Sequence, residues 1–236
     1  MADNRRGRPR LSLVEEHPEA GFYAGYLRPL KGPVLILGCG GGRVAGELSA
    51  RGAHVVGVDP SSTLIALGEE RRARENVEGS NRLKFVAADL RSLRLKERFP
   101  LVIAPQNCLG LMGSLEDLEA LFATAKHHLV PAGTLLFDVL NAHSAGAMAR
   151  GEHGRASPPP PTAPRAGFVP HLRECRRSGL SRSASIRRLR LRQFHPDQVD
   201  SALHQAGFVA LERFGGYDGK AFSSEDPLQI VVATLS

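Results

Sequence analysis

The segment from Val34 to Asp59, VLILGCGGGRVAGELSARGAHVVGVD, constrains the fold more than any other part of the sequence. It opens with a short apolar run, typical of a parallel strand that is buried on both faces, and continues into a glycine-rich turn. Apolar residues at helical spacing follow, Arg51-Gly52 provides a helix stop, and a second apolar run ends in Asp59. The pattern predicts a strand–turn–helix–strand unit whose glycines let a ligand approach the backbone.

The acidic residue at the end of the second predicted strand indicates which kind of ligand. Asp59 is placed to accept hydrogen bonds from two ribose hydroxyls, so the unit is predicted to bind a nucleoside. A dinucleotide dehydrogenase would show G-x-G-x-x-G, but Arg43 occupies the position of the third glycine. This charged side chain counts against NAD or FAD, and an NAD(P)-binding oxidoreductase is kept as the alternative function.

Length and composition are those of one globular domain of 236 residues. No apolar run reaches the roughly 20 residues of a membrane helix, and the basic start MADNRRGRPRL has no signal-peptide core. The three scattered cysteines fit reduced thiols, and no Cys/His cluster has zinc-site spacing. We therefore expect a cytoplasmic protein with no metal site and no membrane partner, in which residues 1–12 form a disordered basic arm and residues 13–236 the domain.

Strand and helix patterns alternate along most of this domain. Such alternation predicts an α/β fold with a doubly wound, mainly parallel sheet and helices on both faces. The last two strands are predicted to form an antiparallel hairpin. The predicted helices cover 15–30, 44–50, 62–76, 115–129 and 196–206, and the predicted strands cover 34–37, 54–58, 83–87, 101–104, 134–139, 208–214 and 228–234.

Residues 145–194 interrupt the alternation and are predicted to be a flexible loop and a small β lid insertion. A proline-rich stretch, SPPPPTAP, is followed by predicted strands over 168–177 and 183–194. Between Arg165 and Arg192 there are nine arginines, no lysine and one acid, a net charge of +8 against +7 for the whole chain.

In IRRLRLRQF, leucines alternate with arginines, which predicts a strand with Leu189 and Leu191 toward the protein. The opposite face of this strand would then carry, outward or over a pocket mouth, the side chains of Arg188, Arg190 and Arg192. As a lid, this segment would favour an anionic acceptor such as a carboxylate or phosphate. A nucleic-acid-binding face is the alternative, but the segment lacks interleaved aromatic side chains on which bases could stack.

With the glycine turn, the acid Asp89 after the third predicted strand and the final hairpin, the chain resembles class I S-adenosylmethionine-dependent methyltransferases. The resemblance runs from about Tyr23 to the C-terminus, apart from the proline-rich loop. The segments LVIAPQNCLG, LLFDVLN and GGYDGKAF are similar to the small-molecule and amine type. The resemblance implies a Rossmann-like, seven-stranded, mostly parallel sheet with an antiparallel last strand. It also implies S-adenosylmethionine as cofactor and in-line methyl transfer to a small-molecule acceptor.

The resemblance also implies the cofactor contacts. The glycine turn would pass beneath the methionine part, Asp59 would hold the ribose, and Asp89 with the Leu90 amide would hold the adenine. In two places the chain departs from the family: Ile36 stands where the family has an acid that organises the turn, and Pro100 stands where an aspartate is common. The implied cofactor-binding residues are Gly38, Cys39, Gly40, Gly42, Asp59, Pro60, Asp89, Leu90 and Gln106.

Methyl transfer mainly needs alignment and a dry site, so the sequence does not require a catalytic base. By position beyond the fourth and fifth predicted strands, the catalytic candidates are Asn107, Asn141 and His143, with capping or turn formation as the alternative role. Tyr23 and Tyr26 are predicted either to close over the cofactor or to pack in the core. An RNA methyltransferase that uses the arginine-rich segment is the remaining alternative function.

Overall fold

The computed structural model describes residues 18–75, 80–142 and 191–236. A seven-stranded sheet with strand order β3-β2-β1-β4-β5-β7-β6 forms its centre. The strands are β1 (Val34–Leu37), β2 (Val55–Asp59), β3 (Leu83–Ala87), β4 (Phe99–Ala104), β5 (Leu129–Leu140), β6 (Phe208–Phe214) and β7 (Leu228–Leu235). The helices are α1 (Pro18–Ala24), α2 (Arg43–Ala50), α3 (Ser62–Glu75), α4 (Leu115–His128) and α5 (Pro196–Gln205).

The strand directions confirm the predicted Rossmann-like topology. Strands β3, β2, β1, β4 and β5 are parallel to one another, whereas β7 is antiparallel to both β5 and β6. The order of strands in the sheet changes direction between β1 and β4, which leaves a crevice beyond the carboxyl ends of these two strands. In open α/β sheets, ligands bind in this crevice. The glycine turn after β1 lies at this edge.

Hydrophobic packing on both faces of the sheet explains the unbroken apolar runs in its strands. All four residues of β1 are buried, because alternate side chains enter two separate hydrophobic clusters. One cluster packs α4 and α5 on the sheet around Phe122 and Phe137, and the other packs α1 and α2 around Tyr23 and Leu48. Each large apolar side chain that is fully buried contributes about 1.5–3 kcal/mol relative to exposure.

Two predicted boundaries are wrong for identifiable reasons. Strand β5 begins at Leu129, directly after α4, and not at residue 134, because Pro131-Ala132-Gly133 lies within a bulged part of the strand. Ala132 has a φ of 58°, and the pairing with β4 jumps from Leu129 to Thr134. The helix predicted over 15–30 is shorter, since α1 ends at Ala24 and turns follow.

Some predictions fall on residues outside the described ranges. They are the basic arm over 1–12 and most of the insertion over 145–194 with its two strands; residues 191–194, which are described, contain no strand. Within the described ranges, no helix is long and apolar enough to cross a membrane. In the same residues, no group of three His, Cys, Asp or Glu side chains is arranged to hold a metal ion.

A buried histidine links α4 to the loop between β3 and β4. His128 is 0% exposed; its Nδ1 donates to the Thr124 carbonyl over 2.8 Å, and its Nε2 accepts from the Leu95 amide over 2.9 Å. This pairing requires the neutral ring with its proton on Nδ1. Burial is the main cause that lowers the pKa of His128 below its ordinary value.

We therefore expect the free energy of unfolding to fall as the pH drops below about 6.5, the pKa of an unperturbed histidine. In that range the unfolded chain binds a proton that folded His128 does not, so stability falls by up to about 1.4 kcal/mol per pH unit. His128→Gln should remove this part of the pH dependence, as measured by urea unfolding between pH 5 and 7.5. His204→Gln, in an exposed position on α5, is the control. An unchanged pH slope in the His128 variant would contradict the assignment.

Candidate cofactor site

The glycine turn after β1 is shaped by backbone conformation and by close neighbours. Gly38 and Gly42 have φ values of 79° and 77°, in the left-handed region that favours glycine. A Cβ at Gly42 would lie 2.3 Å from Cζ of Phe85, and one at Gly38 would lie 2.7 Å from Cβ of Cys108. The absence of a Cβ at these glycines therefore leaves room for protein side chains from β3 and from the segment after β4. It also leaves the backbone open to a ligand.

Asp59 at the end of β2 organises this turn. Its Oδ2 accepts from the Gly40 amide over 2.8 Å, its Oδ1 accepts from the Ser61 amide over 2.9 Å, and the residue is 6% exposed. Ile36, at the position of the missing family acid, is fully buried in the core. Asp59 thus supports the turn, and because an ionised carboxylate has about four acceptor positions, it retains capacity for ribose hydroxyls.

Cys39 is a buried part of the turn, at 5% exposure. Burial, with a further contribution from the charge of Asp59, raises the pKa of Cys39 to about 12. The thiol is therefore protonated at neutral pH and is not poised as a nucleophile. Of the other residues predicted here, Pro60 is exposed directly after β2 and Leu90 is 2% exposed after β3.

Asp89 after β3 is exposed and held by an arginine that the sequence analysis missed. Arg91 donates from Nε to Oδ1 over 3.0 Å and from Nη2 to Oδ2 over 2.6 Å, and its Nη1 binds Asp117 over 2.7 Å. Hydrogen bonds from Arg91 lower the pKa of Asp89 to about 2. The carboxylate is therefore ionised and fixed in orientation. A spacing of two residues between an acid and an arginine gives no signal that could have predicted this pair.

A second buried acid, Asp138 of β5, was also missed as a site residue. It is 1% exposed, and its carboxylate accepts from the backbone amides of Gln106 over 2.7 Å and Asn107 over 2.6 Å. The Tyr23 hydroxyl of α1 donates to the same carboxylate. Burial raises the pKa of Asp138, and these donors act in the opposite direction. Because donors surround both oxygens, the ionised form fits the site.

The aromatic residues of α1 pack over Asp138 rather than standing free above the crevice. Tyr23 is 0% exposed, and its ring centroid lies 6.0 Å from that of Tyr217 in the loop between β6 and β7. Burial and the charge of Asp138 raise the pKa values of both phenols, so both are neutral. Phe22 joins the cluster 6.1 Å from Tyr217, and Tyr26 lies 5.7 Å from Phe22.

A third buried acid joins α1 to the start of α2 and to the turn after β4. Glu19, 9% exposed, forms an ion pair with Nη2 of Arg43 and accepts from Nε2 of Gln106 over 3.4 Å. Nη1 of Arg43 is buried and has no hydrogen-bond partner in the described part of the chain. Three elements thus meet at Glu19, and one donor of Arg43 has no acceptor among the described residues.

The described catalytic candidates both bind backbone groups. Asn107 is 7% exposed, and its Oδ1 accepts from the Leu140 amide over 3.1 Å. Asn141 is 0% exposed, and its Nδ2 donates over 2.8 Å to two carbonyls of the loop before β7. The structure brings Asn107 to the turn after β4, beside the glycine turn, whereas Asn141 anchors the other loop. His143 lies outside the described residues.

The end of the arginine-rich segment contacts the segment between β4 and α4. Leu191 is 4% exposed, as the alternation predicts, and Phe194 is 0% exposed. Arg192 donates from its backbone amide to the Gly110 carbonyl over 2.7 Å and from Nη1 to the Gly113 carbonyl over 2.9 Å. Residues 191–194 are therefore attached to the segment between β4 and α4.

A cavity of about 640 Å³ lies elsewhere, at the amino-terminal ends of β1, β2 and β3. Basic side chains dominate its polar lining, with Glu97 as the acid among them. The glycine turn and Asp59 are at the opposite edge of the sheet, so this cavity is not the candidate cofactor site. Its basic lining residues are Arg28, Arg51, His54, Arg82 and Lys84.

Comparisons with known proteins agree with this geometry. Residues 34–133 match the family described as methyltransferase domain. The match begins at β1 and ends within β5, so it contains the glycine turn, Asp59 and Asp89.

Among relatives, the cypemycin N-terminal methyltransferase of a Streptomyces species is 35% identical over 112 residues, which are 47% of this chain and 43% of that protein. The chain spans about half the length of the curated relatives it matches. The CcbJ methyltransferase of Streptomyces caelestis has a TM-score of 0.72 at 22% identity, covering 93% of this chain and 90% of the other.

The glycopeptide N-methyltransferase MtfA, solved with S-adenosylmethionine, has a TM-score of 0.69 at 23% identity, covering 93% of both chains. At these identities the solved structures establish a shared fold. Together the comparisons confirm the resemblance to class I S-adenosylmethionine-dependent methyltransferases that the sequence indicated. They favour the methyltransferase over the alternative of a nicotinamide-dependent oxidoreductase.

Proposed function

We propose that the protein transfers a methyl group from S-adenosylmethionine to a small-molecule or peptide acceptor. The observation that carries this proposal is the glycine turn supported by Asp59, within the residues that match the methyltransferase domain. The turn lies at the carboxyl ends of β1 and β2, where a nucleoside cofactor would bind.

The residues of the site fit this cofactor. Asp59 would accept from the ribose hydroxyls while it holds Gly40, and Asp89, ionised and oriented by Arg91, would accept from the adenine amino group. The buried, unpartnered Nη1 of Arg43 is a donor suited to the carboxylate of the methionine part. When bound, S-adenosylmethionine supplies a methyl group activated by attachment to a positively charged sulfur.

The chain's own contribution is alignment and exclusion of water. The turn after β4 is fixed by Asp138 and packs against the glycine turn, and the Tyr23 hydroxyl of α1 donates to the same Asp138 carboxylate. A fixed, desolvated geometry can supply most of the acceleration for an in-line displacement. No described side chain needs to act as a base if the acceptor nitrogen reaches the site uncharged.

The acceptor class is inferred from the relatives and from charge. The names of the relative, an N-terminal methyltransferase, and of the structural neighbour, a glycopeptide N-methyltransferase, favour an amine acceptor. The arginine-rich segment, attached through Arg192, would favour an acceptor that also carries a carboxylate or phosphate. A cytoplasmic location remains a prediction from the sequence.

Two measurements test the proposal. In calorimetry, S-adenosylmethionine and S-adenosylhomocysteine should bind the protein, and NADH should not. A methyl-labelled cofactor incubated with cell extract that is separated into small molecules, peptides, proteins and RNA should label the small-molecule or peptide fraction. Binding of NADH alone would restore the oxidoreductase alternative, and label confined to RNA would favour the RNA methyltransferase.

A further inference from the structure

The turn after β4 contains two successive residues in a conformation that is unfavourable for side chains. Gln106 and Asn107 have φ values of 59° and 54°, and the remaining non-glycine residue with positive φ in the described ranges is Ala132, in the β5 bulge. Left-handed backbone is unfavourable for residues with a Cβ, and among them asparagine tolerates it best and glutamine does not. Such strain persists where neighbouring groups fix the backbone, and it is concentrated at functional sites.

Asp138 is the group that fixes this backbone. Both strained residues donate their amides to its carboxylate, one to each oxygen, over 2.7 and 2.6 Å. Asn107 in turn accepts the amide of Leu140 with its side chain. The turn after β4 and the end of β5 therefore hold each other by three hydrogen bonds, all buried or partly buried.

These three hydrogen bonds of Asp138 and Asn107 form a clamp, the Asp138 clamp, which is linked to the cofactor site by two routes. Gln106 bonds Glu19, which pairs with Arg43 at the start of α2, directly after the glycine turn. Cys108 follows the strained pair and packs against Gly38 in the turn itself. On the other side, the Tyr23 hydroxyl attaches α1 to the same Asp138 carboxylate.

We propose that Asp138 is a positioning residue for methyl transfer, which holds the strained Gln106-Asn107 turn and α1 in place around the cofactor. It acts through these groups rather than on the reacting atoms, because it is 1% exposed and its oxygens face donors of the chain itself. The inference rests on the proposed function, since it assigns Asp138 a role in the site of that cofactor.

Asp138→Asn is the first test, because it keeps the shape and replaces one oxygen by a donor that faces a backbone amide. It should weaken S-adenosylhomocysteine binding in calorimetry about 10-fold, the effect of losing one charge-assisted hydrogen bond. The control is Asp226→Asn, which alters another nearly buried acid, 8% exposed, that binds the Ser223 amide away from β4. It should lower the melting temperature and change the affinity less than about 2-fold.

A double-mutant cycle with Gln106→Gly separates positioning from direct contact. Glycine takes a positive φ without strain, so the turn should then depend less on the carboxylate. The loss caused by Asp138→Asn should shrink from about 10-fold to about 3-fold in the glycine background. An equal loss in both backgrounds would overturn the proposal, as would wild-type affinity of the single Asp138→Asn variant.

Tyr23→Phe is a second variant that leaves the carboxylate and both amides intact. It removes one donor to Asp138 and should weaken binding about 3-fold, the effect of one modest hydrogen bond. Unchanged affinity would contradict the proposed attachment of α1. A wild-type protein that does not bind S-adenosylhomocysteine would instead refute the proposed function, so the two failures are distinguishable. Once an acceptor is known, Asp138→Asn should lower kcat at saturating cofactor with little change in the acceptor KM.

Discussion

Replacing Asp59 by alanine should weaken the binding of S-adenosylhomocysteine by about 100-fold. A charge-assisted hydrogen bond to ribose contributes roughly 1.5–3 kcal/mol, or one to two orders of magnitude in affinity. We expect the upper part of this range because Asp59 also holds the Gly40 and Ser61 amides, so the turn loses its support together with the ribose contact. Isothermal titration calorimetry at constant pH and salt measures the effect.

The matched control for this prediction is Glu97→Ala. It removes the same charge from an exposed position at the opposite edge of the sheet, where Glu97 lines the basic cavity. Its affinity should stay within about 2-fold of wild type, since the site and the charge are far apart and screened by solvent. Equal affinities of wild type and Asp59→Ala would refute the assignment of the ribose contact.

Replacing Gly42 by alanine should destabilise the protein by about 2–4 kcal/mol. Left-handed backbone costs alanine about 1 kcal/mol or more, and overpacking against Phe85 adds about 1–3 kcal/mol. The added Cβ would meet Cζ of Phe85 at 2.3 Å, so either β3 or the glycine turn must shift. We expect a lower midpoint in urea unfolding and weaker cofactor binding.

Two further variants make this expectation specific. Gly46→Ala lies in α2, which begins directly after Gly42, with no neighbouring side chain within 4 Å of the added Cβ, and it should stabilise the protein by about 0.5–1 kcal/mol through helix propensity. Phe85→Leu combined with Gly42→Ala should be less destabilising than the two single changes added together, since the shorter side chain relieves the overlap. Strict additivity would show that the overlap with Phe85 is not the cause.

The parts of the fold that could be predicted are those whose determining residues lie close together in the sequence. The apolar run of β1, the glycines after it and Asp59 at the end of β2 lie within 26 residues, and they specify a local unit whose ligand follows from its ends. The antiparallel β7 followed from the same kind of local pattern, supported by the resemblance to a known family.

The clamp at Asp138 could not be predicted in this way, because its partners come from distant parts of the chain. Tyr23 is 115 positions away. Of the two residues that donate their amides with positive φ, Asn107 is of a type that tolerates this conformation, but Gln106 gives no such sign. An acid within the apolar run LLFDVL is a sign that a buried charge needs partners, but it does not identify them. The bulge at Pro131-Ala132-Gly133 was missed since those residues usually end a helix.

The position of β7 has a consequence for how the chain folds. β7 lies between β5 and β6 and pairs with both. Both β5 and β6 therefore lack β7 as a neighbour until residues 228–235 have been synthesised. Until then β5 is an edge strand, long and largely apolar, with unpaired backbone groups that can pair with another chain. Pairings between distant segments also form slowly. The period in which a nascent chain is most prone to aggregate therefore ends only when β7 inserts.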